Sequence, residues 1–358
     1  MSNRYRNTYV EINLPNLYKN YENVQKIVKN TKAIPVVKAN AYGHGVIEVV
    51  EYLINKGVDQ FAVSLLEEAL DLRLHFKNIE ILVMGIVEEN GLLIASENKI
   101  TLTISNANQL QNLPKLSKKL KIHLKIDSGM NRLGFKNNQE IIETVEFLKN
   151  NEMLDLEGIF THFSTADVDK TYYDIQLCRF NEVLNMIDYD FHSIHVSNSS
   201  SAIKYENDID YTTHVRLGIS LYGLTLDENV NFLKTTFSLK TSISQINVLE
   251  PGDKLGYGAS YTAKQRELIA VLPIGYADGF IRKNKGGDVE INGKRYQIVG
   301  NICMDQMFVK IDEKVLKTDE VILFGGLITT DEVAERLDTI NYEVICGITS
   351  RVPRKYIK

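Results

Sequence analysis

From Ala33 to about Gly223, short runs of aliphatic and β-branched residues alternate with amphipathic stretches. The runs have the length of strands, and the stretches between them have the period of helices. This alternation predicts βαβ units and a parallel sheet. The predicted strands are Ile34–Lys38, Gln60–Ser64, Glu80–Met84, Lys99–Ile104, Lys121–Asp127, Leu156–His162, His192–Val196 and Thr213–Leu217. Eight such units in roughly 200 residues favour a closed (β/α)8 TIM barrel, although the pattern alone also fits a doubly wound open sheet.

The amphipathic stretches predict the helices of this α/β region. They include Pro15–Asn30, Leu66–Phe76, Ala107–Leu120 and Asn138–Asn150. Pro15 suits the first turn of a helix, where the missing N–H costs no hydrogen bond.

Beyond Gly223 the pattern becomes mostly strand-like. The predicted strands are Thr235–Leu249, Glu267–Ile274, Val289–Val299, Met307–Ile311 and Val321–Phe324, and only Thr330–Leu337 has a helical pattern. Asn292-Gly293 between alternating runs indicates a two-residue hairpin turn. We therefore predict a barrel over residues 8–225 and a mostly β domain over residues 226–358. The first strand, residues 8–13, is a candidate partner for strands of the second domain.

Composition narrows the function classes. The 358 residues carry a net charge of −5 without a basic stripe, which argues against nucleic-acid binding. Three cysteines without CxxC spacing argue against a disulfide scaffold and a thiolate metal site, and we expect no metal. The first residues lack an apolar leader and no apolar run approaches the ~20 residues of a membrane span. We expect a cytoplasmic protein with no membrane partner.

Lys38 is the most informative single residue. It ends an apolar strand and precedes the loop Ala39–Gly45, at the end of a parallel strand where barrel enzymes place their active sites. Desolvation at such a place lowers the pKa of an amine toward a reactive, Schiff-base-forming state. A lysine that merely extends to solvent fits the same pattern equally well.

The segment Val36–Gly45 resembles the pyridoxal 5′-phosphate (PLP) attachment signature of the alanine racemase family. The resemblance continues in order along nearly the whole chain. The matching segments are Ser64–Ala69, Lys125–Gly134, Thr161–Ser164, Asn198-Ser199, Arg216–Gly223, Gly256–Gly258, Ile274–Gly279, Cys303–Asp305 and Arg351–Arg354. The family fold that the resemblance implies is a PLP-binding barrel followed by a β domain.

The resemblance implies a set of cofactor-binding residues, with Lys38 carrying the cofactor. They are Lys38, Tyr42, His162, Asn198, Ser199, Arg216, Gly218 and Ile219. Phosphate binding by the loops after strands seven and eight is also what the barrel fold favours. Arg216 would face the pyridine nitrogen, with His162 and His195 orienting it. Because a guanidinium can only donate, it would keep that nitrogen unprotonated and favour racemisation over transamination.

Racemisation needs one base on each face of the α-carbon. The resemblance assigns Lys38 to one face and Tyr257 of a partner subunit to the other, which implies an obligate homodimer with shared active sites. Arg132 and the backbone N–H of Met304 would bind the substrate carboxylate. Lys125 would be carbamylated and would position Arg132.

Tyr276, with Asp278 and Asp305 nearby, would narrow the entrance to the site and keep substrates small. The family pattern has a tyrosine before the Arg-Val-Pro-Arg tail that reaches the phosphate, whereas this chain has Ser350. We therefore assign no phosphate contact to Ser350.

The expected activity is that of an isomerase that interconverts L- and D-alanine and supplies D-alanine for cell-wall peptidoglycan. A racemase of broad specificity, acting for example on serine, is the nearest alternative. A fold-related PLP decarboxylase is less favoured because the chain has no glycine triplet, and a non-catalytic PLP-binding protein would lack the β domain.

Overall fold

The computed structural model describes residues 5–205, 208–227 and 230–358, and the chain divides into two compact units. The barrel unit consists of Tyr18–Ala41 and Val46–Lys234, and the sheet unit of Met1–Leu17, Tyr42–Gly45 and Thr235–Lys358. The two units therefore interleave along the chain, a feature that the predicted division at residues 225 and 226 does not contain.

Strand β1 (Tyr9–Asn13) belongs to the sheet unit, and the next eight strands form the barrel. These are β2 (Lys32–Pro35), β3 (Gln60–Val63), β4 (Glu80–Val83), β5 (Thr101–Ile104), β6 (Leu120–Lys125), β7 (Leu154–Phe160), β8 (Ser193–His195) and β9 (His214–Leu217). Strands β3 to β8 pair in parallel in chain order, and β2 pairs in parallel with β9. A parallel bridge between Val36 and Ala62 joins β2 to β3, and the Thr213 N–H donates to the Ile194 carbonyl between β8 and β9. The predicted (β/α)8 barrel is confirmed.

Helices surround these strands, and they include three of the four stretches whose ranges are predicted as helical. They are α1 (Leu14–Ile27), α2 (Val46–Ile54), α3 (Leu66–His75), α4 (Glu89–Glu97), α5 (Asn138–Lys149), α6 (Lys170–Met186) and α7 (Ser199–Lys204). The predicted helix Ala107–Leu120 is wrong, because only a 3-10 turn forms over Ala107–Leu110 and Leu120 already begins β6. Pro114 explains the early end, since it has no N–H and disfavours helical geometry in the residue before it.

The sheet unit is built around a nine-stranded sheet with the order β11-β14-β17-β16-β15-β18-β10-β1-β19. Its remaining strands are β10 (Phe237–Ser242), β11 (Gln245–Leu249), β14 (Glu267–Leu272), β15 (Asp288–Ile291), β16 (Lys294–Val299), β17 (Met307–Ile311), β18 (Glu320–Phe324) and β19 (Arg354–Ile357), while β12 (Lys254–Leu255) pairs only with β13 (Tyr261–Thr262). Strand β1 runs antiparallel to β10 and parallel to β19. The mostly β character predicted for this part of the chain is confirmed.

Local details of the sheet unit differ in two places from the prediction. The predicted strand Thr235–Leu249 is two strands, and a second helix, α9 (Asn341–Cys346), follows α8 (Thr330–Leu337). The hairpin at Asn292-Gly293 forms, and both residues have the positive φ that a two-residue turn requires, 52° and 71°. Among the described residues, no helix is long and apolar enough to span a bilayer.

Candidate active site

The chain leaves the barrel after β2 in a left-handed turn that begins at Lys38. The φ angles of Ala39, Asn40, Ala41 and Tyr42 are 52°, 54°, 53° and 50°. This conformation costs an L-residue about 1–2 kcal/mol. Strain of this kind persists only where surrounding contacts hold it, and it is concentrated at functional sites. Lys38 itself is half-buried.

The carboxylate of Glu68 on α3 holds this turn from the barrel side. Its Oε1 accepts from the Ala39 N–H at 2.7 Å, and its Oε2 accepts from the N–H groups of Ser64 and Leu65 at 2.9 and 3.1 Å. Hydrogen bonds to a charged acceptor are about twice as strong as neutral ones. One side chain therefore fixes both the loop after β3 and the start of the Lys38 turn.

Arg216 on β9 is buried, and acceptors surround most of its guanidinium. Its NH1 donates to Nδ1 and to the carbonyl oxygen of His195, both at 2.7 Å. Its NH2 donates to the carbonyls of Thr161 and Val196, at 2.7 and 3.0 Å, and to Nδ1 of His162 at 3.1 Å. No hydrogen bond within the described part of the chain engages its Nε–H. That N–H is the one donor of Arg216 available to another group.

Several cations crowd around Arg216. Burial, followed by the charge of Arg132, lowers the pKa of Arg216 to about 9, which still leaves it charged at neutral pH. Burial, followed by the charges of Arg216 and Arg132, lowers the pKa of Lys125 to about 7, and Asp127 offsets only part of this shift. The Nζ atom of Lys125 lies 4.4 Å from the centroid of the Phe160 ring. Near neutral pH a large fraction of Lys125 is therefore a neutral amine.

The two histidines that contact Arg216 are held neutral. Burial, and then the charge of Arg216, lowers the pKa of both His162 and His195 well below the usual histidine value. For His162 the further contributing charges are Lys125, Arg132 and Lys38. The barrel unit thus brings together the predicted lysines, arginines and histidines.

The loops after the last two barrel strands meet at Ser199, the first residue of α7. Its Oγ accepts from the backbone N–H groups of Gly218 and Ser220, at 2.9 and 3.4 Å. Asn198 caps α7, because its side chain accepts from the Ser201 N–H at 3.1 Å. The Ser199 hydroxyl therefore joins the two loops, and backbone N–H groups that converge in this way are also suited to an anion.

In the sheet unit, Tyr257 presents its side chain to the outside, with 77% of its surface exposed. The flanking Gly256 and Gly258 have φ angles of 68° and 72°, a conformation that favours glycine. The Tyr257 carbonyl accepts from the Asn301 side-chain amide at 2.9 Å, which anchors the backbone and leaves the phenol accessible.

Two further loops of the sheet unit lie beside Tyr257. The Tyr276 N–H donates to the Cys303 carbonyl and the Ala277 N–H to the Met304 carbonyl, both at 3.1 Å. Tyr257, Tyr276 and Met304 line one cavity of about 690 Å³ in this unit. Tyr276, which is predicted to narrow the entrance to the site, therefore lines the same cavity as Tyr257, the predicted second base.

An ion-pair cluster fixes these loops. Arg6 donates to both oxygens of the buried Asp278 at 2.9 Å, and Asp278 accepts from the Gly275 N–H at 3.1 Å. Arg351 donates to Asp305 at 2.6 Å. Asp278 and Asp305, which are predicted to lie near the entrance, thus stabilise the loops that carry Tyr276 and Met304.

Tyr42 is buried in the sheet unit, with its ring centroid 6.3 Å from that of Tyr342. Burial, followed by the charges of Tyr342 and Cys346, raises the pKa of the Tyr42 phenol, so that it is a hydrogen-bond donor at neutral pH. Ser350 is exposed.

Comparison with known families accounts for both units. The family model described as alanine racemase, N-terminal domain, matches residues 12–226, and that described as alanine racemase, C-terminal domain, matches residues 236–356. The chain belongs to the alanine racemase family.

Relatives in this family match over nearly their full length. An alanine racemase of Halalkalibacterium halodurans is 41% identical over 100% of this chain and 97% of its own length, and alanine racemase 1 of Bacillus subtilis is 38% identical over 99% and 94%. The crystal structure of the Bacillus anthracis alanine racemase with bound L-Ala-P has a TM-score of 0.93 at 34% identity, covering 100% of this chain and 96% of that chain. A histidine racemase from Leuconostoc mesenteroides has a TM-score of 0.92 at 27% identity, covering 99% of each chain.

The alanine racemase motifs fall into two groups in the structure. The barrel unit contains Lys38, Lys125, Arg132, His162, His195, Asn198, Ser199, Arg216, Gly218 and Ile219, and the sheet unit contains Tyr42, Tyr257, Tyr276, Met304 and Asp305. Three side chains in the barrel unit received no role from the sequence, namely Glu68, His123 and Glu157. Glu68 lies in a matched segment, and His123 lies two residues before Lys125, on the same face of β6.

Proposed function

We propose that this protein is a PLP-dependent isomerase that interconverts L- and D-alanine. Its membership of the alanine racemase family supports the reaction. The observation that carries the proposal is the environment of Arg216, whose guanidinium is saturated by neutral acceptors except at Nε–H. Such an arrangement suits one charged donor held toward an aromatic ring nitrogen.

The residues of the barrel unit fit PLP in three respects. Lys38 supplies an amine at a strand end, Arg216 supplies a donor for the ring nitrogen, and Ser199 lies in hydrogen-bond contact with the Gly218 N–H, where the family resemblance assigns phosphate binding to Ser199, Gly218 and Ile219. By family resemblance, the Tyr42 phenol and Asn198 complete the phosphate and ring contacts. PLP, when bound, withdraws electrons from the substrate and so acidifies its α C–H bond.

Arg216 selects the outcome of that chemistry. Because a guanidinium donates and does not give up its proton, Arg216 would leave the ring nitrogen of the bound cofactor unprotonated and would limit the electron withdrawal. Return of the proton to the same carbon is then favoured over transfer elsewhere, which is the requirement for racemisation.

Two bases move the proton. Lys38 Nζ takes or returns it on one face, and the Tyr257 hydroxyl of a second subunit does so on the other. The 77% exposure of Tyr257 in a single chain supports its availability to another subunit. We therefore propose a homodimer with shared active sites, in which Tyr276, Met304 and Asp305 are also supplied across the interface.

Arg132 and the Met304 N–H bind the substrate carboxylate in this proposal, and Lys125 positions Arg132. The lowered pKa of Lys125, about 7, supports its carbamylation, because CO2 reacts with a neutral amine. The product would place a negative charge between Arg216 and Arg132, where the protonated lysine adds a third positive one. We further propose a cytoplasmic location and a role in supplying D-alanine for peptidoglycan.

The reaction is tested by following the optical rotation of L-alanine with purified, PLP-loaded protein. Lys38→Ala should remove both the cofactor absorption band and the activity. Tyr257→Phe should lower kcat by about 10²–10⁴-fold in both directions, the usual contribution of one acid–base group, while Tyr5→Phe, at a similarly exposed tyrosine, should not. Full activity of Tyr257→Phe would refute the two-base assignment.

Shared sites are tested by mixing the two inactive variants. A Lys38→Ala chain paired with a Tyr257→Phe chain forms one site with both defects and one intact site. Random reassociation should therefore restore about a quarter of the wild-type activity. If each site used its own tyrosine, mixing would restore none.

Broad specificity is the second candidate, and the similarity to a histidine racemase favours testing it. One methylene in a pocket changes discrimination by only about 1–3 kcal/mol, so the family fold alone does not fix the side chain. The kcat/KM values for alanine, serine and histidine decide between the two, and a tenfold preference for alanine supports the first.

A further inference from the structure

A continuous row of hydrogen-bonded side chains extends from Arg216 to Glu157 on β7, and all of its members except the partly exposed Glu157 are buried. Arg216 NH1 lies 2.7 Å from His195 Nδ1, His195 Nε2 lies 2.7 Å from His123 Nδ1, and His123 Nε2 lies 3.3 Å from Glu157 Oε2. His195 and His123 are 0% and 1% exposed. The row lies within the barrel unit and involves two residues, His123 and Glu157, that the proposed function does not use.

The hydrogen bonds in this row can run in only one direction. Arg216 has no lone pair to offer, so Nδ1 of His195 must accept. In a neutral imidazole the other nitrogen then carries the proton, and His195 Nε2–H donates to Nδ1 of His123. By the same reasoning His123 Nε2–H donates to the carboxylate of Glu157. Both tautomers are thereby specified.

Glu157 remains an acceptor because Lys121 holds it ionised. Lys121 Nζ lies 2.5 Å from Glu157 Oε1 and 3.3 Å from Glu80 Oε1. Burial alone would raise the pKa of Glu157, but the hydrogen bonds from His123 and Lys121 and the positive charge of Lys121 outweigh it and lower the pKa to about 2. The far end of the row therefore carries a negative charge at neutral pH.

The backbone of β7 is adapted to this arrangement. Ile122 pairs with Leu156 whereas His123 pairs with Gly158, so Glu157 is the additional residue of a β-bulge. A bulge redirects a side chain that regular alternation would place on the other face. At Gly158, an added Cβ would lie 2.9 Å from two atoms of the His123 ring. Both the bulge and the glycine make room for the contact between His123 and Glu157.

We infer that Glu157 and His123 are positioning residues that act through His195 to fix the orientation of the Arg216 guanidinium and so aim its Nε–H. The inference rests on the proposed function only in one respect, namely that the Nε–H of Arg216 faces the ring nitrogen of the cofactor. The hydrogen-bond direction itself is a property of the protein without cofactor. Without an acceptor at position 123, the His195 ring loses the partner that holds it, and the guanidinium loses a fixed neighbour.

The test combines nitrogen-15 NMR of cofactor-free protein with kinetics of the loaded enzyme. In histidine-labelled wild type at pH 7.5, the resonances of His195 and His123, assigned from single histidine substitutions, should both show the neutral Nε2–H tautomer. A Nδ1–H tautomer at either residue overturns the inference, whether or not the protein racemises alanine.

A matched pair of substitutions tests the positioning role. Asparagine and leucine have nearly the same shape, but only His123→Asn keeps an acceptor near the position of Nδ1. His123→Leu should broaden the His195 side-chain signals and lower kcat about tenfold with little change in KM, the loss expected for one unmade buried hydrogen bond. His123→Asn should recover most of both. If the two variants behave alike, in spectra or in kcat, His123 only fills space and the inference fails.

Discussion

Replacing Arg216 by lysine tests the central electrostatic feature of the barrel unit. The guanidinium serves five acceptor atoms: His195 Nδ1, the carbonyls of His195, Thr161 and Val196, and His162 Nδ1. An ammonium has three N–H donors at a single point, so at least two acceptors lose their partner. At about 1–3 kcal/mol for each unpaired buried group, Arg216→Lys should lower the free energy of unfolding by about 2–6 kcal/mol.

Urea unfolding of cofactor-free protein, followed by far-ultraviolet circular dichroism, measures this loss. The control is Arg132→Lys, because Arg132 is exposed, and a substitution there should change stability by no more than about 0.5 kcal/mol. Equal effects of the two substitutions would refute the view that the acceptors around Arg216 depend on the guanidinium. In the loaded enzyme, Arg216→Lys should lower kcat, and Arg132→Lys should mainly raise KM for alanine.

Three further predictions concern other parts of the two units. Glu68→Ala leaves three backbone N–H groups without their acceptor and should lower the free energy of unfolding by about 1–3 kcal/mol in urea titrations. Glu68→Gln keeps one amide oxygen as an acceptor and should therefore show a smaller loss. Because the pKa of Lys125 is lowered to about 7 in the folded protein, the unfolded chain binds more protons than the folded one between about pH 7 and 10. The free energy of unfolding, measured relative to Lys125→Met, should therefore rise over this range and stay constant below pH 7. A constant difference at all pH values would contradict the lowered pKa. Arg6→Met leaves the buried Asp278 carboxylate without its bidentate partner. After allowance for the partial exposure of Arg6, the substitution should lower the free energy of unfolding by about 2 kcal/mol, which calorimetry can measure. Unchanged stability would contradict the role of this ion pair.

The sequence predicted the barrel and the positions of its chemistry because both follow from local patterns. Lys38 is the last residue of its predicted strand and Arg216 the last but one of its own, and parallel strands bring such ends to the same edge of a barrel. The family motifs then assigned roles that strand order alone does not supply. The helix predicted over Ala107–Leu120 failed because its apolar spacing was given more weight than Pro114.

The row from Arg216 to Glu157 could not be found in this way. His123 has the right spacing from Lys125, but regular alternation leaves Glu157 out of phase, and only the bulge at the Ile122–His123 step brings it into contact. Bulges depend on pairing between strands that are distant in sequence. The hydrogen bond between Glu68 and the Lys38 turn was not predicted for a related reason. Alanines in the left-handed conformation have no signature in the sequence, so the shape of this turn could not be foreseen.

The placement of β1 has a consequence for truncation and for synthesis of the chain. Because β1 hydrogen-bonds to β10 on one side and β19 on the other, a fragment beginning at Thr235 would expose two unpaired strand edges, which are sites of aggregation. During translation β1 is made before the barrel unit, whereas both of its neighbours are made after it. Strand β1 must therefore remain unpaired until β10 and β19 have been synthesised, and only then can its sheet close.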